Sequence, residues 1–296
     1  MKSLYQAEGY SDSYNFDLDK LKLVDKVISG RKYLGQENSD KTKRVYEFLF
    51  VPNSGFLNSN DPLLNNCELK LSFDRSPNSI AFIAPYGDKG IDDIVEIKDC
   101  YAMTEYISSE ALRKHFSKIQ LSPIIYQYEE IEVTYKNLPL NELNIRLDNI
   151  KGGNNPICLF MGIVQTEALS GASELSTTNF RQHGVRSVNL TLNGNSVNGF
   201  PVEIRNNSPV IPMYLFNSVT NRFYNSNAGE GYDIGHFKSN WLYSHFFESE
   251  HTSQGWLGVT LGLEEPYEES HTLVLITSSS AALSIDKFHQ IEKLVL

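Results

Sequence analysis

The sequence has few cysteines, no excess of basic residues and no long hydrophobic run, and each of these absences excludes a class of protein. Its 296 residues contain three cysteines, Cys67, Cys100 and Cys158, an odd number that favours buried free thiols in a reducing compartment over a disulfide-stapled secreted domain. The net charge of −10 argues against a face that neutralises nucleic-acid phosphates, although a local basic patch stays open. No apolar run could span a bilayer, and no secretory signal follows Met1. The chain is therefore expected to be made as a soluble protein inside the cell.

Motifs of catalysis are missing as well. The sequence contains no Gly-x-Ser-x-Gly nucleophile elbow, no His-x-His pair of the cupin type and no glycine-rich loop that would cradle a phosphate. Gly229 and Gly231, like Gly152 and Gly153, lack the strand–turn–helix context of such loops, and turn glycines explain them better. We predict no catalytic residue and no cofactor.

Two clusters of possible metal ligands were weighed against ordinary surface chemistry. His236, His245 and His251 fall in one segment, but their spacing matches no zinc template, so hydrogen-bonded strand and loop histidines explain them better. Residues 264–269 hold four glutamates and lack the regular oxygen spacing of a calcium loop. They fit a solvated acidic hairpin tip, and we predict no metal site.

The chain is organised around residues 154–197. Val188, Leu190 and Leu192 alternate with polar residues, which predicts a half-buried strand that ends at the favoured hairpin turn Asn193-Gly194. Residues 157–164 are apolar almost throughout, as expected of a strand buried on both faces. Residues 168–177 between them read as a loop of small residues.

Further alternating segments predict an all-β protein with short helices in its connections. They include residues 45–51, 67–73, 131–135, 143–147, 241–247, 257–263 and 272–277, and short helices are expected at 108–119 and 208–217. Trp241 and Trp256 are expected to pack in the core or between subunits rather than to form a sugar platform. The punctuation at residues 151–156 predicts a domain boundary, which divides the chain into 1–150 and 151–296.

The order of these segments carries a resemblance to a known family. The matching landmarks are residues 63–82, 94–123, 155–171, 179–194, 214–217, 232–235, 241–247 and 272–286. In this order they resemble the hexon-like double jelly-roll major capsid protein of Polinton (Maverick) elements and adintoviruses. The resemblance covers residues 45–293. It implies two tandem jelly-roll sandwiches, of which the first would be incomplete at its amino terminus, because residues 1–45 are too short and polar to supply all the early strands.

The resemblance also implies a function and its partners. The chain would be a structural virion protein without enzymatic activity that assembles, as trimers, into an icosahedral shell. Its partners would be copies of itself, neighbouring capsomers and a penton-type minor capsid protein, with no membrane-spanning segment and no specific nucleic-acid binding. It would be made soluble in the cytoplasm or nucleus of a host cell and end in the virion.

Two other functions stay open at this point. A jelly roll could act as a binding module that recognises carbohydrate or a protein partner through loops near Gly229 and Glu265. A hydrolase would need two carboxylates that face each other across a cleft, which the sequence alone does not establish.

Overall fold

The computed structural model describes residues 123–153, 156–170, 180–204, 210–224, 241–247, 255–286 and 290–295, two short strands further upstream, and isolated residues elsewhere. The upstream strands, β1 (Gly35–Glu37) and β2 (Arg44–Tyr46), form an antiparallel pair of their own. The expected strands at 45–51 and 67–73 and the expected helix at 108–119 lie largely outside the described residues.

The first sheet is built around one long strand, β11 (His271–Ile285). All 14 residues of β3 (Ile124–Asn137) pair with it along one side. Along the other side it pairs first with β5 (Cys158–Gln165) and then with β12 (Ile291–Val295). The strand β9 (Tyr243–Phe246) adds to β5, so that β3 and β9 are the two edges of this sheet.

The second sheet has β10 (Gly255–Leu263) between β4 (Asn144–Gly153) and β6 (Val185–Leu192). The short strands β7 (Asn195–Ser196) and β8 (Val202–Glu203) both pair with β6. All of these pairs are antiparallel. Two helices lie in the connections, α1 (Thr166–Ser170) and α2 (Val210–Tyr224).

Successive strands alternate between the two sheets. From β3 onward, β3, β5, β9 and β11 belong to the first sheet, whereas β4, β6 to β8 and β10 belong to the second. The chain therefore crosses from one sheet to the other after β3, β4, β5, β8, β9 and β10. The last strands lie beside the first, β11 beside β3 and β10 beside β4, which is the interlocked Greek-key order of a jelly roll. The sandwich is a jelly roll, and the all-β class is confirmed for the described part of the chain.

The core lies between the two sheets, where period-two alternation directs every second side chain inward. In β6 the predicted residues Val188, Leu190 and Leu192 are 0%, 0% and 8% exposed. Val188 and Leu190 belong to one cluster with inward side chains of the neighbouring β10 and, across the sandwich, of β5 and β11. The strand β5 is buried along most of its length, as its continuous apolar run predicts. Trp241, just before β9, is buried in the same cluster, and its expected place in the core is confirmed.

The hairpin at Asn193-Gly194 is confirmed as well. Both residues have positive φ, 54° and 81°, and Leu192 pairs with Asn195 across the turn. A two-residue loop with positive φ at both positions matches the right-handed twist of the strands it joins.

Replacing Gly194 tests this turn, because any Cβ disfavours positive φ. Gly194→Ala is expected to lower the free energy of unfolding by about 1–2 kcal/mol, since the left-handed region costs that much for an L-residue. Urea denaturation measures the loss. Asn195→Ala is the matched control one residue later in an exposed position, and its expected change is within about 0.5 kcal/mol. Equal effects of the two variants would contradict the role given to the turn.

The structure differs from the sequence-based expectation in three local features. Residues 151–153 are the end of β4 rather than a linker, and Gly152 lies under the ring of Trp256. The loop expected at 168–177 begins inside α1, and the helix expected at 208–217 runs instead from Val210 to Tyr224. The division of the chain at residue 150 stays a prediction; β4 runs across that position, and β3 and β4 pair with β11 and β10, which follow it.

Candidate assembly surface

The described residues contain no cluster that could perform metal chemistry. His245 lies in β9 with its ring 4.8 Å from that of Phe247, whereas His236 and His251 lie outside the described residues. Across the described ranges, no group of three or more His, Cys, Asp or Glu side chains is placed to hold a metal ion. His245 therefore packs in the sandwich away from any described ligand group.

The described cysteines do not form a reactive site. Cys158 is 1% exposed, and burial, with a smaller contribution from the charge of Glu129, raises the pKa of its thiol to about 12. A thiol with that pKa stays protonated at neutral pH and is a poor nucleophile. Cys100 is exposed as a free thiol, and Cys67 lies outside the described residues.

The acidic loop of residues 264–269 is anchored by an aromatic side chain. Its four glutamates are exposed, whereas Tyr267 is 6% exposed and stacks on the ring of His271 at 4.3 Å between centroids. Glu269 accepts a hydrogen bond from the amide of Gln165 at 3.1 Å. The loop is thus a solvated tip held down by Tyr267.

A pair of histidines at this end of the sandwich escaped the sequence analysis. His183 and His271 are in edge-to-face contact, with ring centroids 4.6 Å apart. Burial lowers the pKa of His183 to about 4, and the charges of His271 and Arg181 act in the same direction. The Nδ1 atom of His271 lies 2.8 Å from the carbonyl oxygen of Glu269. His183 is therefore neutral at neutral pH, and both rings form part of the packing around Tyr267.

The outer face of β3 is the first unusual surface of the sandwich. The register places Thr134 opposite Leu275, which belongs to the core, so the side of β3 that includes Val133 and Tyr135 points outward. The sequence predicts a strand with one apolar face here, and the structure turns that face to solvent. Four large apolar side chains on it are 45–57% exposed: Ile125, Ile131, Val133 and Tyr135. Among the described strands, none pairs with the free edge of β3.

The inward side of β3 is polar and is tied to the opposite sheet by one lysine. The ammonium of Lys151 in β4 lies 2.6 Å from Thr277 Oγ1 and 3.1 Å from Glu132 Oε2. The Lys151 side chain is 8% exposed, whereas that of Glu132 is 55% exposed. A buried ammonium thus bridges the two sheets at the edge where β3 lies.

The Lys151 bridge gives a test with two matched substitutions. Lys151→Ala removes the partner of Thr277 and Glu132 and is expected to lower the free energy of unfolding by about 1–3 kcal/mol, the usual value of hydrogen bonds to charged groups. Lys151→Met also loses these hydrogen bonds but keeps a buried side chain of similar length, so its expected loss is about 1 kcal/mol smaller than that of Lys151→Ala. Urea denaturation at pH 7 compares the variants. A larger loss for Met than for Ala would contradict this account.

The helix α2 forms the second unusual surface. One side of it is buried, with Phe216 2% exposed and in edge-to-face contact with Phe160 of β5 at 5.7 Å. At its amino-terminal end Val210, Ile211 and Tyr214 are 51%, 43% and 70% exposed. The helix packs on Phe160, which lies in the same cross-strand row as Ile276 and Val133, so α2 and the exposed side of β3 are on the same outer face of the first sheet, with α2 toward β9.

No family model matches the sequence. An uncharacterized protein of Caenorhabditis elegans is 24% identical over 183 residues, which are 60% of this chain and 43% of that protein. The chain thus spans less than half the length of the curated relative it matches.

Three viral capsid structures are similar at low scores. The Sputnik virophage gives 13% identity and a TM-score of 0.34 over 58% of this chain and 39% of that one. The PBCV-1 virus capsid gives 11% and 0.38 over 64% and 55%. The mavirus major capsid protein gives 11% and 0.31 over 58% and 41%. Because these scores are low, the jelly-roll assignment rests on the strand order of the chain itself.

Trp256 is an exposed aromatic residue on the outer side of the second sheet. It is 59% exposed, and a Cβ at position 152 would lie 2.5 Å from its ring carbon Cζ3, so glycine leaves room for the indole. Its backbone N–H donates to Oδ1 of Asn193 at 2.9 Å, which fixes the strand beside the hairpin turn.

Of the described helices, none has the length and apolar character needed to cross a membrane.

Proposed function

We propose that the chain is a structural capsid subunit that assembles with copies of itself, as trimers that tile an icosahedral shell. The observation that carries the proposal is a jelly roll whose first sheet has an exposed apolar surface at each of its two edges. Monomeric proteins rarely leave large apolar patches uncovered, and such patches mark interaction sites. The resemblance in segment order to the Polinton and adintovirus capsid family supports the same interpretation.

Several finer features belong to this proposal. The subunit has no catalytic residue, metal or cofactor. It is made in the host cell and becomes part of the virion. In the shell it contacts a penton-type minor capsid protein at the fivefold positions. We place the boundary between its two jelly rolls near Pro123, because β3 and β4 pair with β11 and β10.

Light scattering on the purified full chain tests the proposal. The chain has a mass of 33.5 kDa, and a trimer of about 100 kDa, three times that mass, is expected at micromolar concentration. Because apolar contacts weaken little with ionic strength, the trimer is expected to persist when salt is raised. A single species at the monomer mass across all concentrations and salts would reject self-assembly.

A second function is favoured by Trp256 and the glycine beneath it. Its exposed indole lies over Gly152 beside the hairpin turn, where Asn193 accepts a hydrogen bond from the backbone N–H of Trp256 at 2.9 Å. An exposed aromatic face beside a side-chain amide is suited to a sugar ring, so we propose glycan binding as the rival activity. A glycan array tests it, with Trp256→Ala as the variant expected to abolish any signal. An array without binding removes this candidate.

A further inference from the structure

We propose that the far end of the first sheet is a docking surface that the residues before Pro123 cover in the same chain. The surface, which we call the tip surface, consists of Tyr126 in β3 and Ala281, Leu283 and Ile285 in β11. The inference concerns how two parts of one chain meet, so it holds whether or not copies assemble into a shell.

The tip surface lies beyond the end of the second sheet. The Nζ atom of Lys151 in β4 lies 2.6 Å from Thr277 Oγ1, and only two residues of β4 follow Lys151. In the first sheet, β5 begins opposite Ser278. The strands β3 and β11, however, stay paired as far as Ile285, about 26 Å beyond Thr277 at about 3.3 Å per residue. With β12 as the third strand, this part of the first sheet projects past the described strands of the second.

The side chains of the tip surface point to the same side of the sheet as the core. Leu275 of β11 belongs to the core cluster, and Ala281, Leu283 and Ile285 follow it on the same side, because the register of this strand with β3 is unbroken. Tyr126 pairs with Leu283 and therefore shares that side. The second sheet, which covers Leu275, ends before these residues.

The tip surface is nevertheless shielded from solvent. Tyr126, Ala281 and Ile285 are 1%, 0% and 3% exposed, although none of them belongs to the core cluster. A tyrosine side chain on a single layer of strands keeps one face toward solvent, so this degree of burial requires a second layer over it. The burial is that of one chain by itself, and the second layer therefore comes from the same chain.

The other connections of the sandwich are poorly suited to form this layer. Those that leave the sandwich at this end and lie outside the described residues, 154–155 and 248–254, contain only polar residues. Phe288, in the turn that leads to β12, is 71% exposed. The backbone hydrogen bonds of the neighbouring residues place three further connections near the opposite end of the sandwich, namely 171–179, 205–209 and 225–240.

The residues before Pro123 have both the position and the composition that the layer needs. They lead directly into Ile124, which pairs with Ile285 at the tip of the sheet. They also contain apolar runs such as residues 80–83. Docking there fixes the amino-terminal part of the chain to the sandwich by a packed interface, so that the two parts move as one unit.

Cysteine labelling of the full chain tests whether the tip surface is covered. Ile285→Cys and Ala281→Cys each place a thiol in it, and Ile291→Cys is the matched control, because Ile291 pairs with Ile285 but is 60% exposed. Reaction with N-ethylmaleimide is followed by mass spectrometry of peptides, which separates each new thiol from the three native cysteines. Both tip variants are expected to react about 100-fold more slowly than the control, since their reaction requires local opening. Rates equal to that of the control would overturn the inference.

Photocrosslinking identifies the residues that cover the surface. Tyr126→p-benzoylphenylalanine keeps an aromatic side chain in the tip surface, and the sample is an equal mixture of unlabelled and nitrogen-isotope-labelled full chains. The expected products join position 126 to peptides from residues 1–122, and both peptides of each product carry the same isotope. Products with strands of the second sheet would show that the sandwich covers its own tip, and products that mix the isotopes would show that a second copy does. Either result overturns the inference.

The outcomes separate this inference from the proposed function. Labelling is compared at nanomolar and micromolar chain concentrations, with the mass measured by light scattering at each. Slow labelling of the tip in a chain that stays monomeric supports the docking although the capsid proposal fails. Fast labelling of the tip in a chain that assembles overturns the docking alone. Protection that appears only when the chain assembles assigns the cover to a second copy and also overturns it.

Discussion

Leu190→Ala is expected to lower the free energy of unfolding by about 2–5 kcal/mol, the range found when a buried leucine is cut back to alanine. Leu190 is 0% exposed, lies in the middle of β6 and faces the cluster shared by both sheets. Its removal leaves a cavity between the sheets, because β6 is paired with β10 on both sides of Leu190 and cannot easily move inward to fill it. Guanidinium denaturation followed by fluorescence of the two tryptophans measures the change.

Leu143→Ala is the matched control for this prediction. Leu143 is 50% exposed just before β4, so the same chemical change removes little buried surface there. Its expected effect is within about 0.5 kcal/mol. If both variants lose the same free energy, Leu190 does not lie in a core between two sheets, and the sandwich described above is wrong.

The free energy of unfolding is expected to fall as the pH is lowered from about 6.5 to about 4. Burial and the neighbouring His271 and Arg181 lower the pKa of His183 from the ordinary histidine value of 6.5 to about 4. Between these values the unfolded chain binds a proton that the folded chain does not, so acid favours unfolding. The stabilisation is fully present above pH 6.5 and is lost as the pH falls through 4. A shift of this size corresponds to about 3 kcal/mol at most, and partial exposure reduces it to about 1–3 kcal/mol.

The variant His183→Asn tests the assignment of this acid sensitivity. Asparagine tolerates the positive φ of 48° at this position better than most residues and does not titrate. Between pH 7 and pH 4.5 the variant is expected to lose less stability than the parent by about 1–3 kcal/mol. His245→Asn, in β9 and away from this pair, is expected to keep the parent's pH dependence. Equal pH dependence of the parent and His183→Asn would contradict the role of His183.

Local patterns predicted many strands of the sandwich, because the alternation of apolar and polar residues that marks a strand is visible within a few residues. The alternation at Val188, Leu190 and Leu192 reflects a strand with one buried face and one solvent-facing side. Asn193-Gly194 is a turn signal that needs no tertiary context. Jelly-roll topology is different, because it depends on pairings such as β3 with β11, whose residues lie far apart in the sequence. The resemblance in segment order, rather than any single strand, supplied that part of the prediction.

Period-two alternation does not say which face is buried. Residues 131–135 alternate as clearly as residues 188–192, yet their apolar face points to solvent, because β3 is an edge strand whose inward side meets Lys151. In the same way Gly152 and Gly153 read as a linker, although the ring of Trp256 is what requires glycine at position 152. The first outcome depends on the pairing of β3 with β11 and the second on Trp256, each more than a hundred positions away.

The His183–His271 pair shows the same limit for the candidate site. Neither histidine belongs to a motif, and the two meet because β6 and β11 begin at the same end of the sandwich. The dipeptide His183-Gly184 could have been recognised as a turn, and both residues do have positive φ. The contact of His183 with His271, however, is visible only in the folded structure. The three histidines that lie close together in the sequence, and were considered as metal ligands, include His245. Its ring contacts that of Phe247.

Self-assembly through a jelly roll is the central claim, and electron microscopy of negatively stained full chain at rising concentration tests it most directly. The account predicts discrete ring-like trimers at low concentration and closed particles of uniform diameter at high concentration. Fields that contain only separate particles of monomer size, at concentrations where light scattering shows no larger mass, would contradict it.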